Sequence, residues 1–196
     1  MPYRGSMRIV NHRLLVGCAT ALVATFALAG CVPTPTPMPS TRAATDAPVF
    51  ASDEEALAAA TEAYAAYLKV SDQILKDGGS DPERIREYVS DELAMVEMKS
   101  YTDAQTKGLR STGGSQFSNM TIQTINGSRG NELGIVTVYL CSDVSAVDVL
   151  DASGNSVVSP NRPDRTPFEV TFDLVSTDPT RLLVGSADVW DGSGIC

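Results

Sequence analysis

Two apolar periodicities divide this chain, and they stay apart. Between Ser52 and about Lys107 the apolar residues recur three or four positions apart; from Ser115 to Trp190 the chain reads as strands, with alternating runs such as Met120 to Ile125 and Phe168 to Leu174. Helical spacing followed by strand spacing, with no return, argues for an α+β fold rather than a βαβ fold. Ser52-Asp53-Glu54-Glu55 is a capping box, with Ser at the N-cap and Glu at N3. It predicts a long helix to about Asp77, stopped by Gly78-Gly79. Leu57, Tyr64, Tyr67, Leu68, Ile74 and Leu75 form its apolar stripe, and seven alanines between Ala56 and Ala66 favour helix and close packing. Asp81-Pro82 opens a short second helix to about Val89. Ser90 caps a third from Asp91 to Lys107, ended by Gly108, with Leu93, Met95, Val96, Met98 and Tyr101 apolar.

The strand half opens at Gly113-Gly114. Ser115 to Ile125 is followed by the turn signal Asn126-Gly127. Leu133 to Leu150 reads as one long strand whose alternation slips between Asp143 and Ala146, the mark of a bulge. Asp151 to Asn155 is a turn. Phe168, Val170, Phe172 and Leu174 alternate with Glu169, Thr171 and Asp173, a strand with one wet face. Asp178-Pro179-Thr180 turns the chain into a last strand, Leu182 to Trp190. The expected architecture is three N-terminal helices packed on a curved antiparallel sheet of about four strands, spanning residues 52–196.

Upstream, Arg4, Arg8 and Arg13 precede the apolar run Leu14 to Ala29, and no acid occurs before Cys31. At about 16 residues that run is short for a spanning helix, which needs about 20. Charged, apolar and small-residue regions in this order form an export signal. Leu28-Ala29-Gly30-Cys31 resembles the lipobox of bacterial lipoproteins. The resemblance implies cleavage before Cys31, removal of residues 1–30, lipid attachment to Cys31 and residence on the outer face of the cell membrane. Val32 to Pro39 has proline at alternate positions, so residues 31–51 read as an extended tether reaching up to ~60 Å.

Removing residues 1–30 takes away three arginines and no acid, leaving 12 basic and 24 acidic residues, net −12. Such a domain repels nucleic-acid phosphate and anionic lipid, so membrane attachment falls to the acyl chains. The one histidine, His12, lies in the signal. A Ser-His-Asp triad, a Cys-His pair and histidine-ligated zinc are therefore excluded from the expected mature protein. Of four cysteines, Cys18 is in the signal and Cys31 takes lipid; Cys141 and Cys196 remain. In an oxidising compartment they fit a disulfide, with a reactive thiol pair the alternative, although no C-x-x-C spacing is present.

The element order, the stretch Val136 to Asp148 and the terminal Trp190 to Cys196 resemble the nuclear transport factor 2-like (cystatin-like) superfamily, in particular small actinobacterial lipoproteins. That resemblance implies a cone-shaped cavity between helices and sheet. Its expected lining is Tyr64, Tyr67, Met95, Met98, Tyr101 and Trp190. It implies binding of a small apolar ligand or an envelope protein, without cofactor. The enzymatic alternative is a histidine-free isomerase or hydratase of the ketosteroid isomerase type, which pairs an Asp base with a Tyr donor. Candidate acids are Asp143, Glu169, Asp173 and Asp188, and candidate donors are Tyr64, Tyr67, Tyr101 and Tyr139. Asp188 shares strand parity with Leu182, Val184 and Trp190, so it is the acid expected to face an apolar environment. Asp148, Asp151, Ser153 and Asn155 lack the glycine and glutamate of a calcium loop and read as a turn. Gly113-Gly114 lacks the lysine of a phosphate loop, and the sequon Asn126-Gly127-Ser128 reads as a turn.

Overall fold

Ser52 caps the first helix as its sequence dictates. Its Oγ accepts from Glu55 N at 3.2 Å, and the Glu55 carboxylate reaches back to Ala51 N at 2.7 Å. Helix α1 then runs Asp53–Lys76. The computed structural model describes residues 48–126, 133–175 and 177–196. The expected signal, Cys31, the tether up to residue 47 and the Gly127-Ser128 part of the turn lie outside the described residues.

Gly79 ends the α1 turn at a φ of 79°, and a Cβ there would sit 2.1 Å from the Tyr101 carbonyl oxygen. Only glycine admits that approach. The second helix differs from expectation: it is a 3-10 helix, Pro82–Glu87. The backbone after it is taken by the sheet instead. Val184 N donates to Tyr88 O at 3.0 Å, and Ser90 N donates to Val184 O at 2.9 Å. Extended pairing of Val89 with Val184 ends the helical path. Ser90 caps α2 (Asp91–Thr106) by accepting from Leu93 N at 3.3 Å.

The strands are β1 (Arg110–Thr112), β2 (Gln116–Ile125), β3 (Val136–Asp143), β4 (Asp148–Leu150), β5 (Arg165–Val175) and β6 (Asp178–Val189). A four-stranded antiparallel sheet has the order β2-β3-β5-β6, while β1 and β4 pair as a separate ribbon. The protein is thus α+β, with helices packed on antiparallel sheets. The expected single strand from Leu133 to Leu150 is broken rather than bulged. Asp143 Oδ1 accepts from Ser145 N at 2.9 Å, and Arg162 donates to the carbonyls of Val144 and Val147 at 2.9 and 2.8 Å. This pinned turn lies against Gly113, where a Cβ would meet the Ala146 oxygen at 1.7 Å. The turn expected at Asp178-Pro179-Thr180 is instead the start of β6.

One sheet face is apolar: Val136, Val138, Leu140, Val170, Phe172, Leu174, Leu182 and Val184 are buried with Tyr64, Tyr67, Ile74 and Tyr101 of the helices. The other face carries Tyr139, Glu169, Thr171, Ser186 and Asp188. The bond Cys141–Cys196 ties residue 196 to β3 on that face, with Cα atoms 5.1 Å apart.

Candidate functional site

The aromatic residues of α1 and α2 meet as their spacing demands, and they fill the space between helices and sheet. Tyr64 sits edge-on to Phe117 at 5.0 Å between ring centroids and 5.7 Å from Tyr67. Tyr67 Oη donates to Glu97 Oε1 at 2.8 Å, and Tyr101 Oη donates to Ser71 Oγ at 2.9 Å. Burial, reinforced by the Glu97 charge, pushes the Tyr64 and Tyr67 phenols far above their ordinary range. The same two causes raise Tyr101. These phenols are neutral across the physiological range, and a neutral phenol beside a carboxylate is one pairing that general acid–base chemistry can use.

Glu97 did not stand out among the acids of the sequence. The signal was present: it lies four residues after Leu93 and four before Tyr101, on the apolar stripe of α2. The six residues expected to line a cavity divide. Tyr64, Tyr67 and Tyr101 are core, and Met98 packs against the core from its edge. Met95 is 63% exposed and faces away. Trp190 lies on the opposite side of the sheet, stacked on Tyr139 at 4.2 Å.

Asp188 is corrected outright: it is exposed. Thr171 pairs with Ser186 but Phe172 with Val184, so Gly185 is an extra residue in β6. A one-residue bulge reverses the parity of every later position. Ala187 inherits the core face, and Asp188 pairs with Glu169 on the wet one. A Cβ at Gly185 would fall 2.8 Å from the Asp173 carboxylate, so a side chain in this bulge would have to push Asp173 aside. Asp173 itself accepts from Gly134 N at 2.7 Å, a role in loop structure. Hydrogen bonds from Ser145 hold the Asp143 carboxyl below its usual range, with Arg165 adding to them. Desolvation and the neighbouring Glu169 carboxylate raise the Tyr139 phenol.

Two surface depressions lie away from the tyrosines. One, of about 320 Å³, is a cleft walled by Ala59, Ala63 and Ala66 of α1, by Glu87 and Tyr88, and by Asp178, Thr180, Arg181 and Leu182. The other, of about 470 Å³, is shallow and runs along Ala65, Leu68, Lys69 and Asp72 beside Ser115 to Phe117. Among the described residues no group of three or more His, Cys, Asp or Glu is placed to hold a metal ion. The Asp151 carboxylate is used within its turn, accepting from Ser153 N at 2.8 Å and Asn155 N at 2.9 Å. No described helix is long and apolar enough to cross a membrane.

No family model matches this chain. No curated protein matches it either. Among solved structures it is similar to the intermembrane-space region of the chloroplast protein ARC6, at 10% identity and a TM-score of 0.47, over 66% of this chain and 92% of that one.

Proposed function

We propose that this chain is an exported bacterial lipoprotein, of the actinobacterial type, held on the outer face of the cell membrane by acyl chains on Cys31. Its domain is nuclear transport factor 2-like, and it acts by contact with an envelope protein rather than by turnover. Leu28-Ala29-Gly30-Cys31 and the acid-free segment before it support the anchor. The Cys141–Cys196 bond supports residence in an oxidising compartment.

One observation carries the choice of a surface role over an enclosed apolar ligand. Tyr64, Tyr67 and Tyr101 occupy the space where such a ligand would sit, and the hydroxyls of Tyr67 and Tyr101 are bonded within the protein. Admitting a ligand there costs those hydrogen bonds and the packing around them. The test of the anchor is Cys31→Ala followed by fractionation. The variant is expected in the soluble fraction; a processed Cys31→Ala protein that stays with the membrane overturns the reading.

The Tyr67–Glu97 contact favours a second reading, the histidine-free isomerase, with Glu97 in place of Asp188 as base. A ketosteroid turned over by the full chain, with activity lost in Glu97→Gln and kept in Asp188→Asn, establishes it. No turnover, with partner capture intact in Glu97→Gln, leaves the contact role standing.

A further inference from the structure

The residues after β6 cross the wet face of the sheet as a strap, and they are held from four directions. Trp190 N donates to Pro167 O at 2.9 Å, which fixes the start of the strap to β5. The Trp190 indole stacks on Tyr139 of β3 at 4.2 Å and 23°. Gly192 packs against the indole: a Cβ there would fall 2.0 Å from Trp190 Cζ2, so this close approach of backbone to ring uses the missing side chain. Asn119, at a φ of 55° in the β2 bulge, donates its Nδ2 to Ile195 O at 2.7 Å. Cys196 then bonds Cys141 of β3. The strap therefore starts at one edge strand, β6, and reaches the other, β2.

Its two cysteines are unequal. Cys141 is fully buried, whereas Cys196 is exposed. An outside thiolate therefore approaches the bond from the side of the exposed residue, Cys196. Among the described residues, the directional noncovalent contacts from the strap to the sheet are one hydrogen bond near its end, one aromatic stack and one backbone bond. These contacts are few, while the seven residues of the strap, Trp190 to Cys196, recover backbone entropy on release. Without the covalent bond those few contacts stand alone against that entropy, so the bond decides whether the strap stays closed.

We propose that Trp190–Cys196 is a thiol–disulfide latch, opened by a dithiol reductant, that uncovers the Tyr139–Trp190 face while the sheet and its helical side stay folded. In the opening step a thiolate of the reductant attacks Cys196 Sγ. The S–S bond breaks, and Cys141 leaves as a thiolate and takes a proton. The second thiolate of the reductant attacks the mixed disulfide, closes the reductant's own disulfide and releases Cys196, which is protonated. Two electrons pass from the dithiol to the Cys141–Cys196 bond.

Trp190 is the sole tryptophan of the chain, so its emission reports the latch directly. The full-length protein is treated with dithiothreitol and the thiols are mapped by alkylation. The expected result is alkylation of Cys141 and Cys196, emission shifted to that of a water-exposed indole, and unchanged far-ultraviolet circular dichroism. Cys196→Ser without reductant reproduces the shift. Three results overturn the proposal: both cysteines alkylated with the emission unmoved, emission and dichroism lost together, or no alkylation of Cys196 in the folded protein.

Discussion

The two faces of the four-stranded sheet are held by different physics. The face under α1 and α2 is covered by many apolar side chains, among them Val136, Val138, Leu140, Val170, Phe172 and Val184, all fully buried. Each contributes about 1.5–3 kcal/mol by leaving water, so no single contact decides whether that face stays covered. The opposite face pairs Tyr139 with Glu169 and Glu169 with Asp188 across the strands, and its cover is a short strap. There one covalent bond replaces the redundancy of a core. A face closed by burial opens only when the domain unfolds, whereas a face closed by a bond opens when the bond does.

The sharpest way to break the comparison is to remove a large side chain from the helical face. Phe172→Ala leaves a cavity in the buried apolar cluster and is expected to cost about 3–5 kcal/mol, read from the urea midpoint. A loss under 1 kcal/mol would mean that this face is not the main source of stability. Cys196→Ser comes next. Cys141 and Cys196 are 55 residues apart, and removing their link is expected to cost about 2–4 kcal/mol, mostly by freeing the unfolded chain. The two variants should differ in kind: Phe172→Ala loosens the core, and Cys196→Ser lowers stability while the core signals stay native.

Tyr67→Phe is smaller. It removes the hydroxyl from Glu97 without opening a large cavity, and a bond to a carboxylate at this partly buried site is worth about 1–2 kcal/mol. The double variant with Glu97→Gln tests whether the pair acts as a unit, since a coupled pair will not add. The smallest effect at neutral pH belongs to ionisation of the phenols. Tyr64, Tyr67 and Tyr101 have folded pKa values raised above the ordinary value of about 10. Their contribution to stability is complete below about pH 10, where the phenols are neutral in both states. As pH rises further the unfolded chain loses protons that the folded one keeps, so stability falls. Denaturation midpoints from pH 8 upward, followed with the near-ultraviolet absorbance of tyrosinate, check this. Ionisation of all the phenols near pH 10 in a still-folded protein would contradict the burial of these rings.

Much of the architecture was legible because it rests on local rules. The capping box at Ser52, the N-cap at Ser90, the stop at Gly78-Gly79 and the helix-then-strand order all appear where the residues placed them. The slip between Asp143 and Ala146 marked the right place, but a break there and a bulge leave the same trace in a sequence. What decided between them was Gly113, more than thirty residues upstream, whose bare Cα receives the Val144–Val147 turn. The helix through Val89 failed for a related reason, since Val184 claims that backbone from far along the chain.

The candidate site was less legible than the fold. Spacing along α1 and α2 placed Tyr64, Tyr67 and Tyr101 on inward stripes, but not whether a stripe lines a cavity or fills one. That depends on how the sheet closes on the helices, and there Tyr64 packs edge-on to Phe117 in a buried cluster that includes Phe172. The sequence by itself determined the backbone state of most segments, the wet and dry faces of β5 and the two cysteines free to pair in the domain. Only the tertiary structure decided that Asp188 looks outward, that Glu97 meets Tyr67 and that Trp190 closes the far side of the sheet. Alternation along a strand fixes a face only until one residue is inserted, and whether Gly185 is that residue is settled by its cross-strand neighbours Thr171 and Asp173.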